Sequence, residues 1–261
     1  DVEKVVPTPW LVTEDILDKY DIDLLVHGDD NLNEVSDAKL KIFNRTKGIS
    51  SSQIREASMR SIIQKKNRKL MLTPGPASIL NENLSELIPV FGRGDKDYSS
   101  MANEVLDWIK NLSGQDKVVM AQGSATFAIE LSAHTFIRGK VLLISTGYYS
   151  DRIQQLINDK CDLVKCDYDQ LGNVTGKFDW IICAYTETSR AFKVDLEAVK
   201  EKADQTSSKL FLDATGSIGL EENHHLADLV AFSSCKGLLG LTGACFVAYK
   251  EGLKQYSSNS F

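Results

Sequence analysis

Hydrophobic positions in the later part of the chain fall into short unbroken runs rather than alternating stripes. Lys209–Leu212 ends at Asp213, Leu229–Phe232 runs into Ser233, Ser234, Cys235 and Lys236, and Ala244–Tyr249 follows. Runs of this kind are strands buried on both faces, the habit of a parallel sheet covered by helices. Upstream, the same pattern predicts strands at Lys117–Ala121, Val141–Ser145, Leu163–Cys166 and Trp180–Tyr185. Helical spacing predicts helices starting near Ala125, Asp151 and Asp195. An earlier helix, Met101–Leu112, places Val105, Trp108, Ile109 and Leu112 on one face. Strands alternating with helices predict an α/β fold, a mostly parallel sheet with helices on both faces.

Residues 1–64 read as a separate α/β module. Glu14–Tyr20 is an amphipathic helix, and Ile22–Val26 is an apolar strand that delivers His27, Gly28, Asp29 and Asp30. A strand at Lys41–Phe43 leads into Arg45, Thr46, Lys47, Gly48, Ile49 and Ser50, which open a further helix. Serines at a helix start satisfy free backbone N–H groups, and that same end attracts phosphate. Arg45 and Lys47 strengthen such an anion site. Residues 65–69 are a basic, polar linker, and the dense Pro and Gly of Leu70–Pro76 make a fixed loop. The larger domain is assigned to 70–261.

Composition narrows the function classes. A net charge of −6 argues against a general nucleic-acid or membrane surface. No apolar run approaches the ~18 residues of a membrane span, and the opening DVEKVVPTPW lacks the basic and apolar regions of a secretory signal. The five cysteines show no CxxC spacing, which suits reduced thiols and a cytoplasmic location. No metal site is expected, and His224–His225 reads as a surface turn.

Chemistry-bearing residues gather at the predicted strand ends, where the sites of α/β sheets form. Gly123, Ser124, Ala125 and Thr126 follow a strand and open a helix, so their N–H groups and hydroxyls suit an anion. Tyr149 follows another strand and could stack on a flat ring; it could equally be an interfacial core aromatic. Thr186–Ser189 offer hydroxyls. Asp213 and Lys236, on their own, read equally as a turn cap and a solvated loop lysine. Together the five strand ends supply an anion cradle, a stacking ring, hydroxyls, a carboxylate and an amine.

That order resembles the class V aminotransferases among the fold-type I enzymes that use pyridoxal 5′-phosphate (PLP), over about Leu70 to Lys250. The resemblance implies that Ser124, Ala125 and Thr126 hold the cofactor phosphate, Tyr149 stacks on the pyridine ring, and Thr188 lies near the ring hydroxyl. It also implies that Asp213 partners the ring nitrogen and that Lys236 is the Schiff-base lysine and proton shuttle. The LMLTPGP loop, Asp95–Tyr98, the residues around Tyr149 and the TET step resemble 2-aminoethylphosphonate–pyruvate aminotransferases, with alanine– and serine–glyoxylate enzymes as near relatives. The implied activity moves an amino group from an aminoalkylphosphonate or small amino acid to pyruvate or a similar 2-oxo acid, in a homodimer. The chain departs from the family pattern with Arg190 and Ala191 at a usual Thr-Gly, Ala125 at a usual Gly, and Cys235 before the lysine.

Residues 23–31 and 45–56 resemble the second half of glycerol-3-phosphate-type cytidylyltransferases, a Rossmann-like nucleotidyltransferase family. This implies CTP contacts at His27, Gly28, Asp29, Arg45, Thr46, Gly48, Ile49 and Ser50. That family's HxGH motif has no match here, and neither does the substrate-clamping arginine of the aminotransferase small domain. The chain is therefore expected to be an internal piece of a longer fusion polypeptide. A CTP-dependent cytidylyltransferase and a cofactor-binding fragment without turnover are the alternatives.

Overall fold

The computed structural model describes residues 5–29, 32–44, 54, 73–77, 91–92 and 94–256, and its chain forms two compact units, Asp1–Asn67 and Arg68–Phe261. In the first unit, α1 (Glu14–Lys19) carries Glu14 and Asp15 in its first turn and Lys19 in its last, matching the helix dipole. Strands β1 (Leu25–Gly28) and β2 (Leu40–Phe43) pair in parallel, from Leu25 opposite Leu40 to Gly28 opposite Phe43. The first strand starts at Leu25 rather than Ile22 because the turn after α1 uses Ile22: its amide donates to the Leu17 carbonyl at 2.9 Å, and Asp21 takes φ +55°. Asp30, Arg45, Thr46, Gly48, Ile49, Ser50 and the linker 65–69 lie outside the described residues.

The second unit is built on a seven-stranded sheet. Its strands are β3 (Lys117–Gln122), β4 (Lys140–Ser145), β5 (Asp162–Asp167), β6 (Trp180–Ala184), β9 (Lys209–Asp213), β10 (Leu229–Ser233) and β11 (Ala244–Tyr249), in the order β3-β11-β10-β9-β6-β4-β5. Only β11 runs against its neighbours, so the carboxyl ends of the other six share one edge. A small ribbon, β7 (Thr186–Glu187) with β8 (Phe192–Lys193), stands beyond β6 at that edge.

Side-chain alternation sends each strand's residues to two cores. Leu142, Ile181, Leu210, Leu212, Val230 and Phe232 pack with Ile109 of α2 (Lys96–Ser113) and with Leu196, Val199 and Ala203 of α5 (Leu196–Thr206). Leu143, Ile182, Phe211, Leu229 and Ala231 pack on the other face with Ala128, Ile129 and Phe136 of α3 (Ala125–Phe136) and Ile153 and Ile157 of α4 (Tyr148–Ile157). Helices on both faces explain why the strands read as solid apolar runs rather than alternating ones.

Helix ends are set by capping chemistry. Helix α2 starts at Lys96, five residues before the expected Met101, because the Asp95 carboxylate accepts from the Asp97 amide at 2.9 Å. It stops at Gly114 in the left-handed region, φ +64°. Val105 and Trp108, expected on its inner face, are exposed, while Ile109 is buried. Helix α4 begins at Tyr148 rather than Asp151, because the Ser150 hydroxyl accepts from the amides of Thr146 and Gly147 at 3.0 Å each. His224 corrects the surface-turn expectation. It is buried beside Tyr185, with Nε2 3.0 Å from the Ser217 hydroxyl, while His225 stays exposed. Among the described residues, no helix is long and apolar enough to cross a membrane.

Candidate active site

Three of the strand-end residues, Asp213, Tyr149 and Lys236, lie on the sheet face covered by α3 and α4. On β9, Phe211 packs into that face and Leu212 into the other, so Asp213 points the same way as Phe211. Its in-register neighbours are Ala184 of β6 and Ala231 of β10. Alanines on both sides leave room above the carboxylate, and the Tyr149 ring packs against the same face. Lys236, three residues past β10, lays its Nζ 5.2 Å from the centre of that ring.

Asp213 is 5% exposed. One of its oxygens accepts from the Thr215 amide at 2.9 Å and from the Thr215 hydroxyl at 2.5 Å. Burial pushes its carboxyl above the usual range. The Thr215 bonds and the Lys236 charge pull the other way, and the nearby Glu187 charge adds to the rise. A carboxylate in this state gains most from a cation brought up against it. Gly75, in the loop at 73–77, closes over the lysine stem: a Cβ there would fall 2.5 Å from the Lys236 Cγ. The same loop is tied down by the Ala77 amide, which donates to the Cys235 carbonyl at 2.8 Å.

Ser124, Ala125 and Thr126 form the start of α3, as the sequence indicates. The first turn of α3 holds no acidic residue, and the Ser124 side chain makes no cap bond. The leading N–H groups of the 12-residue helix therefore keep their attraction for an anion. Thr188 lies in the turn after β7, against Gly216, where a Cβ would come 3.1 Å from the Thr188 Cγ2. The buried Thr186 hydroxyl has no hydrogen-bond partner, an orphan that a ligand could satisfy.

Two groups escaped the sequence reading. Thr186 and Glu187 stood there as members of a hydroxyl-bearing strand end and of the TET step, with no role of their own, yet Glu187 is fully buried and receives four hydrogen bonds. An acidic residue between two threonines at the end of an apolar run was the available signal. In the first unit, β1 holds His27 and Gly28 side by side, and Asp29 follows immediately. The rest of that expected nucleotide set lies outside the described residues.

Known proteins bear on this arrangement. No family model matches the chain. It is 23% identical over 215 residues to a 2-aminoethylphosphonate–pyruvate transaminase of Pseudomonas putida strain W619, covering 74% of this chain and 58% of that protein. It is 25% identical over 244 residues to a bifunctional phosphonoacetaldehyde hydrolase/aminoethylphosphonate transaminase of Clostridioides difficile, covering 85% of this chain and 36% of that protein. The chain thus spans less than two thirds of these relatives. Among solved structures, an aspartate aminotransferase of subgroup IV from Thermus thermophilus superposes with a TM-score of 0.67 at 18% identity, covering 74% of this chain and 60% of that one. The fold of the second unit is the α/β fold of such aminotransferases.

Proposed function

We propose that the second unit is the cofactor-binding domain of a PLP-dependent aminotransferase. The observation that carries this is the placement of Asp213 between two alanines, on the face where Lys236 meets the Tyr149 ring. The residues fit PLP group by group. A buried carboxylate with a raised pKa suits a protonated ring nitrogen, a ring over the lysine suits a flat heteroaromatic, and the start of α3 suits a phosphate. PLP supplies an electron sink for the pair left on the donor carbon when its proton departs.

The chain's own residues have separate tasks in this reading. The Lys236 amine would hold the cofactor through its aldehyde, with release of water, and as a free amine it would serve as the base that takes up and returns a proton. Asp213 would hold a protonated ring nitrogen. Tyr149 would cover one ring face and exclude water, Thr188 would lie near the ring hydroxyl, and Ser124, Ala125 and Thr126 would hold the phosphate. The amino donor is proposed as 2-aminoethylphosphonate or a small amino acid, and the acceptor as pyruvate or a similar 2-oxo acid. The activities of the two relatives support this choice. The first unit is proposed as the tail of a cytidylyltransferase module fused before it, with His27, Gly28 and Asp29 at a strand end as support.

The test is covalent capture. Incubation with PLP followed by borohydride should add a pyridoxyl group to the peptide carrying Lys236, and Lys236→Ala should abolish it. Label spread evenly over surface lysines, or retained in the variant, refutes the reading. Stopped-flow spectra of the loaded protein with 2-aminoethylphosphonate and with alanine then rank the donors.

A further inference from the structure

We propose that Glu187 is a positioning residue of this site, its buried carboxylate holding the Tyr149 ring over Lys236. Glu187 has no exposed surface. Its Oε2 accepts from the Tyr149 amide at 3.0 Å and the Thr146 hydroxyl at 3.3 Å. Its Oε1 accepts from the Ser189 amide at 3.3 Å and the Ser189 hydroxyl at 2.5 Å. Four donors reach one carboxylate from two separate segments, the β4–α4 loop with the first turn of α4, and the β7–β8 turn. A carboxyl group at zero exposure is retained only where its hydrogen bonds are complete.

The arrangement has no slack. A Cβ on Gly147 would lie 2.9 Å from the Glu187 Cδ, so the loop backbone rests directly on the carboxylate. Directly above, the loop is locked by the Ser150 hydroxyl, which bonds both amides of Thr146 and Gly147. The backbone of Tyr149 is thereby fixed at its amide and at the turn before it, and its ring is directed onto the Lys236 Nζ. Glu187 makes no hydrogen bond to that ring or to the amine. It acts through Tyr149. Its charge also bears on Asp213, so the two carboxylates jointly favour a cation at the site.

This rests on the PLP reading above, and the experiment separates the two. Glu187→Gln preserves shape but turns one acceptor oxygen into a donor, so two of the four bonds are lost. A double-mutant cycle with Tyr149→Leu, read as PLP capture at Lys236, isolates the coupling. Glu187→Gln should weaken capture roughly tenfold in the parent and less than about twofold in Tyr149→Leu. Equal losses in both backgrounds overturn the proposal, because a merely structural carboxylate would weaken both alike. A second readout needs no cofactor. In protein carrying ¹³C-labelled tyrosine, Glu187→Gln should release the Tyr149 ring while Tyr249 stays unchanged, and an undisturbed Tyr149 ring overturns the proposal. Should Glu187→Gln fail to fold, Ser189→Ala removes a single donor and should give the same changes at smaller size; no change overturns the proposal. If the parent captures no PLP at Lys236, the functional reading falls, and the ring signals alone decide the role of Glu187.

Discussion

Along β9, Leu210, Phe211 and Leu212 are wholly enclosed by other side chains, and one residue further the chain buries the Asp213 carboxylate. The neighbouring strand repeats the change: Ile181–Ala184 are apolar and enclosed, while Thr186 and Glu187 just beyond bury an unpaired hydroxyl and a carboxylate. Strand interiors here reject charge; burial pushes the Cys183 thiol up to about 12, which leaves it inert. Strand ends collect charge at the same depth, and each group there depends on a few hydrogen bonds. Interiors supply folding free energy without site chemistry, and ends supply chemistry at a cost in stability.

The largest effect belongs to an interior residue. Phe211→Ala should cost about 3–5 kcal/mol, because a fully buried ring leaves a cavity its neighbours cannot refill. Urea unfolding measures the loss. If interiors act as a frame alone, the fraction that remains folded should still direct PLP to Lys236, and labelling scattered to other lysines would break the distinction.

His224 gives the next effect, through pH. Burial lowers its pKa from 6.5 to about 4. The unfolded imidazole therefore takes up a proton that the folded one refuses, and stability contributed above pH 6.5 is lost as pH falls towards 4. The full loss is about 3 kcal/mol. Asp213 opposes it. A carboxyl raised in the folded state favours folding below its unfolded value of 3.8, and that contribution disappears as pH rises through the folded value. Comparing unfolding at pH 7 and pH 4 with and without His224→Gln isolates the histidine; an unchanged slope would show that His224 is not held neutral.

How much of this could be read from residues alone follows the same division. The interiors of β9, β10 and β11 were legible because unbroken runs such as LFL and LVAF have one stable solution, burial on both faces. Boundaries were less legible. Ser150 moves the start of α4 to Tyr148, and Asp95 moves the start of α2 to Lys96, through single side-chain bonds that periodicity does not register. At the ends, Ser124, Tyr149, Asp213 and Lys236 were singled out by residue type and order. Glu187 was given no role because two of its four donors, Thr146 and Tyr149, come from a segment about 40 residues earlier, a proximity that exists only once β4 and β6 pair.

Asp213→Asn probes the cost of chemistry at an end. The amide oxygen can still accept from Thr215, and no charge is left desolvated. Stability at pH 7 should therefore rise, on the order of 1 kcal/mol. The proton on a bound ring nitrogen would lose its partner, so turnover in a chain carrying the whole enzyme should fall by at least about a hundredfold while capture at Lys236 persists. Thermal melts and borohydride labelling read the two halves. A variant both less stable and fully active would erase the contrast between interior and end.

The smallest effect sharpens the contrast within one turn. Ala191, where the resembling family has glycine, sits at φ +49°, in the left-handed region. An L-residue pays about 1–2 kcal/mol there, whereas glycine occupies it freely but costs about 0.5–1 kcal/mol more to order from the unfolded chain. The difference predicts that Ala191→Gly stabilises the protein by about 0.5 kcal/mol, a shift in melting temperature of a degree or two for a chain this long. This turn also holds Arg190, whose amide donates to the Glu187 carbonyl at 3.1 Å, so relaxing its backbone tests whether the strain steadies Glu187. If the strain has no such role, Ala191→Gly raises stability and leaves the Tyr149 ring signals and PLP capture unchanged. If it does, the same substitution raises stability yet loosens the Tyr149 ring, which would assign the left-handed alanine to the site rather than to the fold.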